Sequence, residues 1–478
     1  MKKLNLLIIM CLTVSLLSAS VVKTITTTTA GSLSTLITVF ESTTVTDLTV
    51  DGPIDAQDFK FMRDNMTVLA NLNLANAGIV EYNGTNGTLS TAVTDYPANT
   101  VSNSAFKTAA GKTSLISVVL PNSIVTIDTN AFYKCSGLTT INIPLTVSTI
   151  GSMCFMNCSS LASITLPPSL VSIATSTFYG CSKLTSMVIP SSVTTINSSA
   201  FFGCTGLTSV VLPSSVTTIG ATIFKGCTGL KSADMSAATG LTTSGNGTFF
   251  NCSSLTSVTL PSSVTLIEMY TFENCTALTA FIIPSTVTKL GSSCFQGCTA
   301  LLSIEIPSSV ATTALSMFWG CSSLATIIFQ ENASTSFMGN QSFQDCLNLK
   351  EIYLNRAIVP YCAASFFQNV VVGNVKLYVP ATSLSLYQAN AFWKTFQSIS
   401  AITTTTGVNV VKEDFKIYPT QSGMFVNSTI ADELIEVYSI LGVRVASTRS
   451  QIGPNTLVVP KGAIYIVRMG GKTNKVIL

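Results

Sequence analysis

Apolar residues recur along most of the chain in one pattern with a nearly fixed spacing. Each copy places a Phe three residues before a Cys, a Leu three residues after that Cys, and apolar residues six and eight residues after it, usually followed by Pro. The spacing between successive cysteines is 23 residues, with two gaps of 25. A period of this length predicts a repeat array in which each copy forms one coil of a solenoid. The ten cysteines of the pattern are Cys135, Cys158, Cys181, Cys204, Cys227, Cys252, Cys275, Cys298, Cys321 and Cys346.

Alternating apolar positions after each cysteine predict one short parallel strand per coil. In the copy around Cys204 these positions are Leu207, Val210 and Leu212, whose side chains would all point inward. Pro213 then ends the strand because it has no N–H for the ladder. A single coil cannot bury these residues, but coils stacked at about 4.8 Å bury a continuous ladder of Phe, Cys, Leu and Ile. The sequence therefore predicts a repeat solenoid of parallel strands.

This pattern resembles the BspA-like leucine-rich repeats of bacterial surface proteins over residues 106–399. Residues 378–381, followed by Tyr387, Trp393 and Phe396, look like the terminal repeat that closes many such arrays. The resemblance implies a secreted or cell-surface protein that acts as a scaffold for binding and adhesion.

The N-terminal end carries two further predictions. Residues 1–20 combine Lys2 and Lys3, an apolar run and small residues, which is the pattern of a secretory signal peptide. The apolar run is shorter than the ~20 residues that span a bilayer, so we expect no transmembrane segment in the mature chain. Residues 21–100 lack the cysteines of the pattern but contain strand-like fragments, which predicts an irregular N-terminal cap for the repeats at 101–402.

The C-terminal end departs from the repeat. Residues 403–414 read as a linker, and residues 415–478 combine alternating apolar residues with turn glycines, which predicts a small antiparallel β-sandwich. This segment resembles the C-terminal sorting domain of the type IX secretion system, although Pro419 and Thr420 stand where Pro-Asn-Pro is commoner. The resemblance implies that export machinery recognises residues 415–478 and that the protein reaches the outer-membrane surface or is released.

Composition excludes several classes of function. Charged residues make up 9% of the chain and the net charge is +3, so no basic stripe is available to bind nucleic acid. The chain contains no His, which removes His-based triads, zinc sites with His ligands and the commonest general base. We expect no catalytic residue, no cofactor and no metal site, because the carboxylates of the array, such as Glu268 and Glu305, occupy scattered repeat positions.

The cysteines allow three interpretations. An oxidising compartment favours disulfides, and stacked coils would bring neighbouring cysteines within bonding range. One inward cysteine per coil instead indicates a core ladder, in which the thiol behaves as a small hydrophobic group. Metal ligation is the third alternative. Cys154 and Cys294 each precede a repeat Phe and are interpreted as small fillers.

Two sets of side chains are candidates for a binding face. The first comprises outward strand positions, which are Val188, Val211, Ile282, Ile328 and Tyr353, and the second comprises aromatic residues directly after the repeat Phe, of which Tyr179 and Trp319 are the main members. The competing interpretations are that β-branched residues simply suit strands and that the aromatic residues form a packing seam.

We expect the partner to be a protein on host or neighbouring cells. The alternatives are surface glycans captured as nutrients, which would require exposed aromatic platforms, and a structural role through self-association. Exposure of Trp319 and Tyr179 would discriminate between protein and glycan binding. The identity of the ligand cannot be derived from the sequence.

Overall fold

The computed structural model describes residues 20–89, 94–310, 314–331, 340–362, 365–402, 415–420, 423–428, 432–439, 444–451, 453–458, 464–469 and 472–477. The chain divides into two compact units, which are Met1–Leu377 with Ala391–Ser398, and Tyr378–Asn390 with Ile399–Leu478. Nearly all of the predicted signal peptide at 1–20 and the whole predicted linker at 403–414 lie outside the described residues.

The segment before the repeats continues their sheet. Strands β1 (Val22–Thr26), β2 (Asp47–Ile54) and β3 (Asn71–Asn73) pair in parallel, and Leu72 of β3 pairs with Val118 in the strand Ser117–Val119. Lys23, on the edge strand β1, forms an ion pair with Glu41, and a charged side chain at this position discourages pairing with another chain. The elements are β1 (Val22–Thr26), α1 (Leu33–Leu36), α2 (Val39–Thr44), β2 (Asp47–Ile54), α3 (Ala56–Asp64), β3 (Asn71–Asn73), β4 (Ala77–Ile79), β5 (Tyr82–Gly84) and β6 (Thr94–Tyr96).

The array is a parallel β-solenoid, as predicted. Strands lie in two rows, one formed by the segment after each cysteine (the strand face) and one by the segment after each proline (the return face). The strand face contains β8 (Ser117–Val119), β10 (Thr140–Asn142), β14 (Ser209–Val211), β16 (Ser232–Asp234), β17 (Ser257–Thr259), β20 (Ser303–Ile306), β21 (Thr326–Phe329) and β22 (Glu351–Leu354). The return face contains β7 (Thr100–Val101), β9 (Thr126–Ile127), β11 (Thr149–Ile150), β12 (Ser172–Ile173), β13 (Thr195–Ile196), β15 (Thr218–Ile219), β18 (Leu266–Ile267) and β19 (Lys289–Leu290).

Strand pairing on the strand face is interrupted in two places. Between β10 and β14, and again between β17 and β20, the described segments at the strand positions are not assigned as strands. These segments are residues 163–165, 186–188 and 280–282. The coils remain joined there on their other side by the turn layer described below. The structure ends the array with β23 (Lys376–Pro380), α4 (Leu384–Ala389), β24 (Ser398–Ile402) and three 3-10 helices, which are Val372–Asn374, Ala381–Ser383 and Trp393–Thr395.

The interior is built around a ladder of phenylalanine rings, one per coil. From Phe106 to Phe343 successive ring centroids are 5.1–5.8 Å apart and the ring planes lie within 20° of parallel. Phe59 of α3 meets Phe106 edge-on at 87°, and Phe366 meets Phe343 edge-on at 72°. An edge-on ring presents no parallel face to the next aromatic residue, so the stack begins at Phe106. At the other end Phe367 continues the stack on Phe343, with centroids 5.8 Å apart and planes 19° apart.

A layer of consecutive turns surrounds each interior phenylalanine. In the coil of Phe224, both Thr222 and Gly226 adopt left-handed backbone conformations, with φ of 58° and 73°. The N–H groups of Thr222, Phe224 and Gly226 each donate to a carbonyl of the next coil, at 2.7, 3.0 and 2.8 Å respectively. A β-branched residue at positive φ is strained, and these inter-coil hydrogen bonds hold Thr222 in place.

Hydroxyl side chains join the coils on the return face. Ser192 Oγ donates to the Leu170 carbonyl, and Ser215 Oγ to the Val193 carbonyl, both at 2.7 Å. The acceptor lies 22 residues earlier in each case, in the preceding coil. The abundance of Ser and Thr therefore has a structural reason, since these side chains satisfy backbone carbonyls that the short strands leave unpaired.

The C-terminal part consists of antiparallel strands in two sheets, one of three strands and one of four. Val426 and Leu457 are buried from the first sheet, and Ile435, Val437 and Val467 from the second. This arrangement agrees with the predicted antiparallel sandwich. The strands are β25 (Phe415–Thr420), β26 (Gly423–Ser428), β27 (Leu434–Ser439), β28 (Arg444–Arg449), β29 (Gly453–Val458), β30 (Ile464–Met469) and β31 (Lys472–Ile477). The first sheet has the order β25-β26-β29 and the second the order β28-β27-β30-β31.

The phenylalanine ladder makes a direct prediction about stability. Phe201→Ala removes a fully buried ring and should lower the free energy of unfolding by about 3–5 kcal/mol. Phe202→Ala is the matched control, because Phe202 is the next residue and is only half-buried. Urea unfolding of the chain from residue 21 onward, followed by circular dichroism, measures both variants. Equal losses for the two substitutions would contradict the ladder as the main source of stability.

Candidate binding surface

The outward column of the strand face contains all five strand candidates. Each lies seven residues after a repeat cysteine. Val188 is 81% exposed and Val211 is 60% exposed, and they occupy successive coils. Ile282 is less exposed, at 39%, while Ile328 and Tyr353 are half-buried and face each other in register on β21 and β22. The structure thus pairs Ile328 with Tyr353, and it places Val188 and Val211 at equivalent positions of successive coils.

The same column also contains polar residues and one further apolar residue, Val119, which is 39% exposed and lies opposite Asn142. Asp234 lies directly opposite Val211 in the paired strands, and Thr259 lies opposite Asp234. Asn142 begins the polar series and its Oδ1 accepts a hydrogen bond from the Leu120 amide at 2.7 Å. An exposed position on this face therefore does not require a β-branched apolar residue, and the valine pair forms a distinct apolar spot.

The aromatic candidates lie in a second column, where neighbouring side chains occupy the ring faces. The Tyr179 and Phe202 rings stack with centroids 4.4 Å apart and planes 6° apart. Lys225 Nζ lies between two rings, 4.3 Å from the Phe250 centroid and 5.7 Å from that of Phe202. Tyr179 is half-buried. These contacts favour the packing-seam interpretation over an open platform for sugars.

Trp319 belongs to the same column and is also half-buried. Its indole Nε1 donates to Asp345 Oδ2 at 2.8 Å, and Asn369 Nδ2 donates to the other oxygen of that carboxylate at 2.7 Å. These hydrogen bonds, that of Asn369 foremost, hold the pKa of Asp345 below its ordinary value. The indole is therefore fixed by its neighbours, in agreement with the seam.

The cysteines take part in hydrogen bonds that the sequence does not reveal. Cys204 Sγ donates to the Phe178 carbonyl and Cys227 Sγ to the Phe201 carbonyl, both at 3.1 Å. In each case the acceptor belongs to the preceding coil. The ladder thiol is therefore more than the small hydrophobic group that we expected, because it also satisfies a buried carbonyl.

Burial controls the chemistry of these thiols. The structure contains them as thiols, and desolvation raises the pKa of Cys181 and of Cys227 from 9.0 to about 12. The fillers Cys154 and Cys294 are fully buried as well. Within the described residues, no group of three or more Cys, Asp or Glu side chains is arranged to hold a metal ion.

The sequence candidates omitted a second set of outward apolar residues, on the return face. Leu145 is 71% exposed, Val171 is 56% exposed and Val125 is 44% exposed. Comparison of each coil with the consensus of its own array would have identified them, because the equivalent positions of most other coils carry Ser or Thr.

The parallel solenoid and its regular outward columns are features of the leucine-rich-repeat class of proteins. The BspA type leucine rich repeat region matches this chain in six copies, over residues 99–231, 242–372 and 318–415, which together exceed half of the sequence. The chain belongs to the BspA type leucine-rich-repeat family. Solenoids of this family suggest a protein-binding scaffold and are typically non-enzymatic.

Several solved structures are similar to this chain. A leucine-rich repeat protein from Bacteroides ovatus is 24% identical, with 60% of this chain and 92% of that chain covered and a TM-score of 0.43. A leucine rich repeat protein of T. pallidum is 30% identical, with 39% and 78% covered and a TM-score of 0.31. A leucine rich cell surface protein from Faecalibacterium prausnitzii is 23% identical, with 66% and 86% covered and a TM-score of 0.36. Among curated proteins, none matches this chain.

Helices in the part of the chain that the structure describes are all too short or too polar to cross a bilayer.

The buried thiols predict a loss of stability in alkali. Their pKa is raised on folding, so the folded chain holds protons that the unfolded chain releases, and stability should fall as the pH rises from about 9 to about 12. Urea midpoints measured across this range test the effect. Replacing Cys181 and Cys227 by Ala should make the pH dependence shallower. An unchanged slope in that variant would contradict a contribution from the thiols.

Proposed function

We propose that this chain is a cell-surface binding scaffold that holds a protein partner on its strand face. The observation that carries the proposal is the pair Val188 and Val211, exposed at 81% and 60% in a column whose other coils include Asn, Thr and Asp. Membership of the BspA type family supports it. The similar protein from Faecalibacterium prausnitzii is described as a cell surface protein, which supports the same location.

The energetics suit a small apolar anchor within a broader polar contact. Full burial of a Val side chain stabilises a complex by about 1.5–3 kcal/mol, so two such residues can form the centre of an interface. Asp234, in the next coil, would give that interface one charged rim position. Glycan binding is the weaker alternative. The rings of Tyr179 and Phe202 stack on each other, so the two stacked faces are not open to a sugar ring.

We also propose that export uses both ends of the chain, with residues 1–20 as the signal peptide and residues 415–478 as a type IX sorting domain. Two antiparallel sheets within residues 415–478 support the second assignment, together with the resemblance of that segment to sorting domains. The mature protein would then be attached to the outer-membrane surface or released.

Binding should depend on the valine pair. A panel of host matrix proteins, bacterial surface proteins and glycans is presented to the chain from residue 21 onward. Val188→Asp combined with Val211→Asp should weaken saturable protein binding at least tenfold, about 1.4 kcal/mol, because charged groups would be buried at the anchor. Thr259→Asp, which places the same charge in the same column, is the control and should bind normally. Binding to glycans alone, or protein binding insensitive to the valine substitutions, would refute the proposal.

Export should depend on the C-terminal strands. Removal of residues 415–478 should leave the chain in the periplasm of a type IX secreting bacterium, where cell fractionation and surface proteolysis locate it. A matched variant that loses only the outward apolar pair, Val188→Asp with Val211→Asp, should still reach the surface. Surface display of the truncated chain at the normal level would refute the sorting assignment.

A further inference from the structure

The ten cysteines of the repeat pattern, hereafter the thiol ladder, form a regular series of hydrogen bonds through the interior. From Cys158 to Cys346, each Sγ donates to the carbonyl of the interior phenylalanine in the preceding coil, at 3.1–3.2 Å. Cys135, at the first position, is 4.0 Å from the equivalent carbonyl. All ten side chains are fully buried. The same contact thus recurs from coil to coil along the array.

Each thiol of the ladder points at the backbone of the preceding coil and not at a neighbouring sulfur. The Phe201 carbonyl accepts the Cys204 amide at 3.2 Å and the Cys227 thiol at 3.1 Å, so both of its lone pairs have a donor. A disulfide at Cys227 would remove the S–H proton and with it the second of these bonds. The native arrangement therefore uses the cysteines in their reduced form.

The spacing of the coils is too wide for a disulfide between cysteines of neighbouring coils. Successive rings of the phenylalanine ladder have centroids 5.1–5.8 Å apart, and hydrogen-bonded coils repeat at about 4.8 Å. The Cβ atoms of a disulfide lie about 3.5–4.5 Å apart. Two coils would have to approach each other before Cys204 could bond to Cys181 or Cys227. The sequence left this pairing open because the Cα spacing alone permits it.

Oxidation of the unfolded chain has no such limit. With oxidised glutathione, a protein thiolate attacks the disulfide, forms a mixed disulfide and releases one glutathione thiolate. A second protein thiolate attacks the mixed disulfide, forms a protein disulfide and releases the second glutathione thiolate. Two protein thiols thus lose their protons and two electrons, and one glutathione disulfide is reduced to two glutathione molecules. The new bond joins two coils at a distance that the solenoid does not contain.

Burial has the opposite consequence for the folded chain. The side chains of Cys181 and Cys227 have no exposed surface, and an oxidant reaches them only when a coil opens. Desolvation also raises the pKa of both thiols to about 12, which lowers the amount of the reactive thiolate. The completed array therefore protects the same groups that are vulnerable before it forms.

We propose that the thiol ladder makes folding of this chain depend on its redox state, so that the solenoid forms only from the reduced chain and then keeps oxidants away from its thiols. A chain exported to an oxidising compartment would have to fold before its thiols are oxidised. The proposal itself does not rest on export or on binding to the strand face, because every group it uses lies inside the array.

The folded chain gives the first test. The chain from residue 21 onward is treated with oxidised glutathione, and peptide mass spectrometry locates the products. The ladder thiols should react at least about 100-fold more slowly than in the urea-unfolded chain, because a coil must open to expose them. Cys362, which is half-buried and lies outside the ladder, is the internal control and should react faster than they do. Disulfides between ladder cysteines in a chain that keeps its circular dichroism spectrum and urea midpoint would overturn the proposal.

Refolding gives the second test. The chain is unfolded in urea, oxidised with the same reagent and diluted out of urea. It should fail to recover its native circular dichroism spectrum until dithiothreitol is added, whereas the reduced chain should recover it directly. Cys362→Ser is the matched variant and should behave like the unmodified chain, because the disulfides that block folding involve the ladder. Recovery of the native spectrum and urea midpoint by the oxidised chain without a reductant would overturn the proposal, and so would loss of the block in Cys362→Ser.

Discussion

The hydrogen bonds around each interior phenylalanine are the constraint on which the rest of the structure depends. The Phe178 carbonyl accepts the Cys181 amide of its own coil at 3.1 Å and the Cys204 thiol of the next coil at 3.1 Å. The Phe178 amide donates to the Ala200 carbonyl of that next coil at 2.9 Å. Every coil must place these groups at the same position in its turn, because a buried carbonyl or amide without a hydrogen-bond partner destabilises the fold. Where the cysteine spacing rises to 25 residues, Cys252 Sγ still reaches the Phe224 carbonyl at 3.1 Å, so the insertion is absorbed outside the ladder.

Fixed interior and turn positions leave only the outward columns free to differ between coils. Hydroxyl residues fill most outward positions, and those such as Ser192 and Ser215 also donate to the preceding coil. This use of Ser and Thr accounts for a chain that is only 9% charged. The hydroxyl residues also show what an outward position contains when only the fold determines it. An apolar residue in such a column is therefore a departure that the fold does not require. Leu145 on the return face is a departure of this kind.

The sequence was sufficient to predict the solenoid, its parallel strands and its interior residues, because a 23-residue period fixes which positions of successive coils coincide. It was not sufficient for the hydrogen bonds between coils. Periodicity aligns Cys204 with Cys181, yet the atom that its thiol contacts is the Phe178 carbonyl, which depends on backbone direction. The positive φ of Thr222 had no signal either, since Thr disfavours that conformation in isolation. Among the candidate sites, exposure of Val188 and Val211 was predicted, while the stacking of Tyr179 on Phe202 was left as one of two alternatives.

The central claim, that register along the ladder determines whether this chain folds, can be tested by removing one coil. Deletion of residues 182–204 takes out 23 residues and joins Cys181 to Thr205, which keeps every later phenylalanine in the ladder. Deletion of residues 182–203 takes out 22 and shifts the rest of the array by one position. The measurement is urea unfolding of both chains by circular dichroism. The account predicts a cooperative transition close to that of the unmodified chain for the first and loss of that transition for the second. Similar unfolding of the two would contradict it.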